Sequence, residues 1–220
     1  MLTSDVWNFV NMMFIIEYKT LNSQLSFNST LTSEGYHQGG LGAGITNGKL
    51  TANPTLTNTN SYGADGGTTY CCYRGIVNPF GNCLKELVDV YLNYDDYSTT
   101  EAYFELRKSY NKSAYTRSNP SYSSWSYIFM PKNSGYIKSF IYTVRSNGKI
   151  DQYISTVGGS DSTYYCDYYY QSASKCGWFT GGDYGTGSNA GLWCSGCSDS
   201  VGNSGSHIGC RLTYLPNDPD

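Results

Sequence analysis

From Gly181 to Cys210 the chain reads GGDYGTGSNAGLWCSGCSDSVGNSGSHIGC, a stretch with no Lys, Glu, Gln or Met. Its density of Gly and Ser disfavours helical backbone, and no apolar period of 3.6 runs through it. Ala190, Gly191, Leu192 and Trp193 nevertheless sit inside the stretch, and Ile208 and Leu212 bracket its end. Apolar residues placed in this way belong to an ordered loop-and-strand surface rather than to a solvated linker.

The remainder of the chain can supply a core for such a surface. In 220 residues, 39% are hydrophobic and 16% aromatic, enough for one large or two small domains. Charged residues are 14% and the net charge is −3; beyond Lys149 the only basic side chains are Lys175 and Arg211. The cationic surface that neutralises phosphates is missing, which sets nucleic acid aside as a partner. The start, MLTSDVWNFVNMMFIIEYK, lacks a basic leader region and carries Asp5 and Glu17 around a short apolar core. It fits neither a secretory signal nor a membrane span, so the expectation is a soluble protein or part of a larger assembly, without membrane insertion.

Eight cysteines, at 71, 72, 83, 166, 176, 194, 197 and 210, have the number of a secreted disulfide framework, yet a chain of this length does not need staples to fold. Cys194-Ser-Gly-Cys197 is a CxxC that could serve redox chemistry or half a zinc site. There is no second CxxC, and the only histidines are His37 and His207, so no metal and no cofactor is expected.

Along the chain, Val6, Phe9, Val10, Met13, Phe14 and Tyr18 fall near i, i+3, i+4 and i+7, predicting a helix from Ser4 to about Leu21 with Thr3 or Ser4 as N-cap. Residues 22–69 are rich in Ser, Thr, Asn and Gly and read as turns and short extended pieces. The GGLGAG at 39–44 has no following GK[ST] and is no phosphate loop. The segments 86–92, 101–107 and 139–145 are β-prone, the last preceding an Asn147-Gly148 turn, and 211–215 reads as a final strand ending at Pro216. The expected organisation is an N-terminal helix with a Ser/Thr/Asn/Gly-rich segment over 1–69, packed on or leading into a domain over 70–220. No internal repeat is visible, and the class is α+β.

Two separated segments then carry a family resemblance. Tyr73-Arg-Gly-Ile-Val-Asn-Pro-Phe-Gly-Asn82 resembles a "YRGIENPFGN" motif. Gly181-Gly-Asp-Tyr184, Gly187-Ser-Asn-Ala-Gly-Leu192 and Ile208-Gly-Cys-Arg-Leu212 resemble a "GGSW…GSNAGL…IGxRL" ending. Both motifs belong to C-type-lectin-fold proteins found as variable proteins of diversity-generating retroelements and at the tips of phage fibres. The resemblance spans roughly residues 70–215. It departs from the pattern where Cys83-Leu-Lys-Glu-Leu-Val88 replaces a Trp-Glu-Trp-Val run, where Asp183-Tyr184 replaces Ser-Trp, and where Cys210 precedes Arg211.

The resemblance implies a C-type lectin fold with a small antiparallel sheet, an N-terminal helix and extensive loops. It also implies a mechanism of variation. In these retroelements template adenines are randomised, turning AAY codons into NNY, which never encode Lys, Glu, Gln, Met or Trp. The scaffold positions implied are Gly181, Gly182, Gly187, Ala190, Gly191, Leu192, Ile208, Gly209, Arg211 and Leu212, with Leu192 and Ile208 anchoring the loop ends in the core. The contact positions implied are Asp183, Tyr184, Thr186, Ser188, Trp193, Cys194, Ser195, Cys197, Ser198, Asp199, Asn203 and His207. Trp193 fits an NNY codon worst and reads equally as fixed scaffold. Tyr, Ser, Asn and Gly are also the vocabulary of antibody loops, while a plain polar surface loop has a similar composition. The partner implied is a bacterial surface protein or glycan, met at a virion surface or at an extracellular or cell surface. Display in several copies, as a homo-oligomer or on a larger assembly, would raise avidity.

Other chemistry has thinner support. Formylglycine-generating sulfatase-modifying enzymes share this fold and use a C-terminal cysteine pair, and Cys194 and Cys197 lie in the corresponding region. No neighbouring cation is present in sequence to activate a thiolate, and no catalytic residues are expected. Asp95 and Asp96, with Asp89, could form a carboxylate pair, but neighbours on an extended segment point to opposite faces. Ser and Tyr are abundant without a GxSxG elbow. The tyrosines from Tyr164 to Tyr170 could stack on sugar rings, or simply occupy a half-buried strand.

Overall fold

The computed structural model describes residues 2–24, 50–52, 71–73, 76–77, 79–81, 83–93, 103–108, 126–144, 148, 150–172, 176–183, 186, 189–199, 203, 205 and 207–209. The GGLGAG segment, Asp95, Asp96 and the expected strand at 211–215 lie outside them. Helix α1 spans Ser4–Tyr18. Thr3 stands at its N-cap with extended backbone and makes no side-chain capping bond; Lys19 closes the other end in the left-handed conformation, its N–H returning to the Ile15 carbonyl.

The face that α1 buries differs from the one its apolar spacing predicts. Trp7, Val10 and Phe14 are buried together with the polar Ser4, Asn8 and Asn11, whereas Phe9 and Ile16 are each 63% exposed. The helix is apolar on nearly all sides, so spacing alone does not orient it. Trp7 and Phe14 decide: Trp7 Nε1 donates to the Leu192 carbonyl, and Phe14 reaches buried aromatic partners. Phe14 meets Tyr73 and Trp193 edge-on, with ring centroids 5.8 and 5.7 Å away.

Among the described residues, twelve strands follow. β1 (Leu50–Ala52), β2 (Cys71–Tyr73) and β3 (Ile76–Val77) make a three-stranded antiparallel sheet. The others are β4 (Leu84–Asn93), β5 (Tyr103–Lys108), β6 (Ser126–Pro131), β7 (Gly135–Val144), β8 (Ile150–Val157), β9 (Tyr168–Gln171), β10 (Cys176–Thr180), β11 (Ser195–Cys197) and β12 (Ile208–Gly209). They form a second sheet in the order β6-β5-β4-β10-β11-β9-β7-β8, with β12 pairing to β4. The α+β class holds. The expected small antiparallel sheet is corrected to a nine-stranded mixed one, because β11 runs parallel to β9 and β12 parallel to β4.

The β-prone segments near 86–92, 101–107 and 139–145 become β4, β5 and β7. Between β7 and β8, Gly148 takes φ +79, the left-handed backbone that an Asn-Gly hairpin turn requires. β6 and β8, at opposite ends of the strand order, lie against each other, and α1 packs on β8 and β4. The sheet therefore curls around a core closed by the helix. Phe14, Phe80, Met130, Ile154, Tyr169 and Trp193 are among its fully buried side chains.

Candidate functional site

The Gly-rich connection leaves β10 through two glycines that need left-handed backbone, Gly181 at φ +87 and Gly182 at φ +68. The start of the connection is tied to its end: Gly181 N–H donates to the Cys194 carbonyl at 2.8 Å, and the Thr180 hydroxyl donates to the same oxygen at 3.0 Å. Between them, residues 190–194 are held from beneath by three distant parts of the chain. Trp7 Nε1 donates to the Leu192 carbonyl at 3.1 Å, Leu192 N–H donates to Ser23 Oγ at 3.0 Å, and Gln24 Nε2 donates to the Ala190 carbonyl.

The third support is Asp167, a fully buried carboxylate. It accepts from Trp193 N–H at 2.9 Å and from Gln24 Nε2 at 3.3 Å. Burial pushes its carboxyl well above the usual range, while the donors from Trp193, Gln24 and Cys194 pull the other way. The carboxylate sits so close to the loop that a Cβ at Gly191 would lie 2.0 Å from Asp167 Oδ1. Only glycine fits there. The chain reaches Asp167 through Tyr164 and Cys166, non-glycine residues at φ 59 and φ 62. This is strained backbone, and it turns Tyr165 and Asp167 inward.

This frame separates the residues expected at the surface from those that are not. Trp193, Cys194, Ser195 and Cys197 are buried, Trp193 at 1% and Cys197 at 0% exposure, so their expected role as ligand contacts is corrected. The reason is β11 itself, which inserts between β10 and β9 and leaves Ser195–Cys197 no solvent face. Trp193 packs on Phe14 and Tyr165. Burial, followed by the nearby Asp167 and Asp183 carboxylates, pushes the Cys194 thiol well above its ordinary range. Such a thiol holds no thiolate at neutral pH. Cys197 Sγ lies 2.9 Å from Gln171 Oε1 in the interior.

Asp183, Thr186, Asp199, Asn203 and His207 are half-buried and Ser198 is exposed. Four of them fall into local pairs. Thr186 Oγ1 donates to Asp183 Oδ1 at 2.8 Å, and Asn203 Nδ2 donates to Asp199 Oδ1 at 2.5 Å. Tyr184, Gly187, Ser188, Arg211 and Leu212 lie outside the described residues. Of the two expected core anchors, Leu192 is fully buried, whereas Ile208 is only half-buried and holds its place through β12, where Ile208 and Gly209 pair with Leu84 and Lys85.

Beside the Asp183–Thr186 turn lies a cluster that the expected contact positions did not include. On β9 the alternation of a strand sends Tyr169 into the core and Tyr168 and Tyr170 to the opposite face. Tyr136 on β7 pairs in register with Tyr168. The rings of Tyr136 and Tyr168 meet edge-on at 5.1 Å, and those of Tyr168 and Tyr170 lie tilted at 4.6 Å. Asn189, whose N–H donates to the Thr186 carbonyl, joins them to the loop. Tyr136 OH donates to Asn189 Oδ1 at 2.7 Å, and Asn189 Nδ2 donates to Tyr170 OH at 2.8 Å. All four side chains are half-buried. The Tyr170 hydroxyl accepts from Asn189, and burial raises its pKa, so it keeps its proton as a hydrogen-bond donor. The sequence signal was the tyrosine run at 164–170 together with strand alternation; Tyr136 and Asn189 needed the fold to bring them there.

The cluster offers flat aromatic area with a directed hydroxyl donor. Among the described residues, no group of three or more His, Cys, Asp or Glu is placed to hold a metal ion, and no helix is long and apolar enough to cross a membrane. Comparison of the chain with protein-family models, with curated proteins and with solved structures finds no match.

Proposed function

We propose that this chain is a non-enzymatic ligand-binding protein of C-type lectin fold. In this reading it displays the Tyr136–Tyr168–Tyr170–Asn189 platform and the adjoining Gly-rich loop to a bacterial surface protein or glycan, as a phage receptor-binding or surface-display protein does. Retroelement diversification of the loop changes its target. The observation that carries the reading is the platform: three half-buried tyrosines in ring contact, two of them hydrogen-bonded to Asn189, which joins them to the loop. Aromatic faces give rigid contact area, and hydroxyl and amide groups give adaptable hydrogen bonds.

Burial narrows the diversified set. Positions 183, 186, 198, 199, 203 and 207 retain accessible surface, whereas variation at 193–197 would alter the core. Gly181, Gly182 and Gly191 serve as frame for conformational and steric reasons. The family motifs at 73–82, 181–192 and 208–212 supply the rest of the support.

The test is binding of the purified protein to a panel of bacterial cells and glycans, repeated with Tyr168→Ala and Asn189→Ala. The expected result is retained folding by circular dichroism and a loss of affinity of about 2 kcal/mol for Tyr168→Ala, the range of an interfacial aromatic anchor. Binding that ignores both substitutions removes the platform from the reading. Absence of any cell or glycan binding favours a structural fibre or capsid protein.

A further inference from the structure

Ser4, Asn8 and Asn11 lie at i, i+4 and i+7 and form a polar stripe on the face of α1 turned toward the sheet. Opposite them is a cavity of about 30 Å³, lined also by Gln152 of β8, Trp178 of β10 and Trp193. Asn11 Oδ1, both amide atoms of Gln152 and Trp193 Nε1 are buried and have no hydrogen-bond partner among the described residues. All four atoms belong to residues that line this cavity. They comprise two acceptors and two donors from three elements that are far apart in sequence.

Buried polar groups of this kind are nearly always satisfied. The volume holds about two waters, since one needs roughly 10–15 Å³ of such space. A water molecule both donates and accepts, so it complements a mixed set that no ion of either sign would. The rest of the lining is largely apolar, from Leu87, Val90, Met130, Phe140 and Ile154, so the waters' partners are these four polar atoms.

We propose that the cavity is a site for one or two structural waters, which receive hydrogen bonds from Trp193 Nε1 and the Gln152 amide and donate to Asn11 Oδ1 and Gln152 Oε1. The waters join α1 to β8 and to Trp193, beneath the Gly-rich loop. They explain why the helix buries Asn11 on this face. The inference is independent of any ligand at the loop surface.

The test is a water-to-amide NOE measurement on the ¹⁵N-labelled protein, with the Trp193 indole signal assigned by Trp193→Phe. The expected result is a Trp193 indole cross-peak to water with the sign of a long-lived bound molecule, and electron density for water in the cavity in a high-resolution crystal structure. A Trp193 indole without that cross-peak, or a crystal structure with an empty cavity, overturns the proposal. Asn11→Leu provides a second reading that does not need a bound-water signal. Loss of a water partner lowers the melting temperature, as expected, whereas a rise shows that an orphaned group in a dry cavity has been removed and sinks the proposal. If Asn11→Leu does not fold, the measurement on the native chain still decides.

Discussion

Trp193 and Ser198 are five positions apart in one Gly-rich stretch and have opposite surroundings, one sealed under α1 and the other in solvent. Trp193→Ala is expected to cost about 4 kcal/mol in stability, as large aromatic truncations in cores do. Ser198→Ala should stay within about 0.5 kcal/mol of the parent, as surface substitutions do. Urea unfolding of the two variants checks the contrast. Composition could not separate them, because a codon-restricted surface loop and a small-residue packed strand both favour Ser, Gly and Cys. Trp193 was the one residue whose size already spoke for the core. Asp167 gives a second prediction at this level. Its folded pKa is raised, so in the ordinary carboxylate range the unfolded chain ionises first, and stability declines from there as pH rises until Asp167 ionises in the folded chain too. Asp167→Asn removes that decline, so the stability of the parent relative to the variant should fall with rising pH. A denaturation series across pH measures this, and a difference that rises instead refutes the assignment.

Helix α1 was legible as a helix but not in its orientation. An apolar run such as Val-Asn-Met-Met-Phe-Ile-Ile offers several stripes of comparable strength, and tertiary partners choose among them. The partner in this case is the loop: Trp7 Nε1 caps the Leu192 carbonyl. Trp7→Phe keeps most of the packing and leaves that carbonyl unsatisfied, at an expected cost of about 2 kcal/mol. Each kcal/mol lowers the melting temperature of a domain this size by about 2–4 °C, so calorimetry resolves the effect. β4, β5 and β7 could be read from their runs of β-prone residues. β9 and β11 could not be paired in advance, because a parallel contact between short strands far apart in sequence leaves no local pattern. The tyrosine platform depends on the pairing of β9 with β7. Tyr168 and Tyr170 were visible as a cluster, while their alignment with Tyr136 across β7 and with Asn189 across the loop is a property of the sheet order.

Taken together, the sheet, the helix and the loop place the platform and positions 183, 186, 198, 199, 203 and 207 on the outside of a core that includes α1, β4, β8 and β11. On the proposed binding role, a single platform of this size would bind weakly, and display in several copies on a fibre or virion would multiply its strength. Surface-immobilised protein at high density is therefore expected to hold target cells at least about 100-fold more tightly than protein in dilute solution, the lower range for linked sites. Comparing dense and sparse immobilisation in a flow-binding assay measures the ratio, and equal retention at both densities removes the avidity argument.

The contact between Gly191 and Asp167 also bears on heredity. A mutation at codon 191 adding even one methyl group drives it into a buried carboxylate, and the penalty falls on folding before any target is met. Under the proposed binding role, offspring altered at codon 183 or 198 would remain folded and compete on what they bind, whereas offspring altered at codon 191 would be eliminated whatever their target. The loop would thus sort its own descendants into those that selection for recognition can compare and those it never sees.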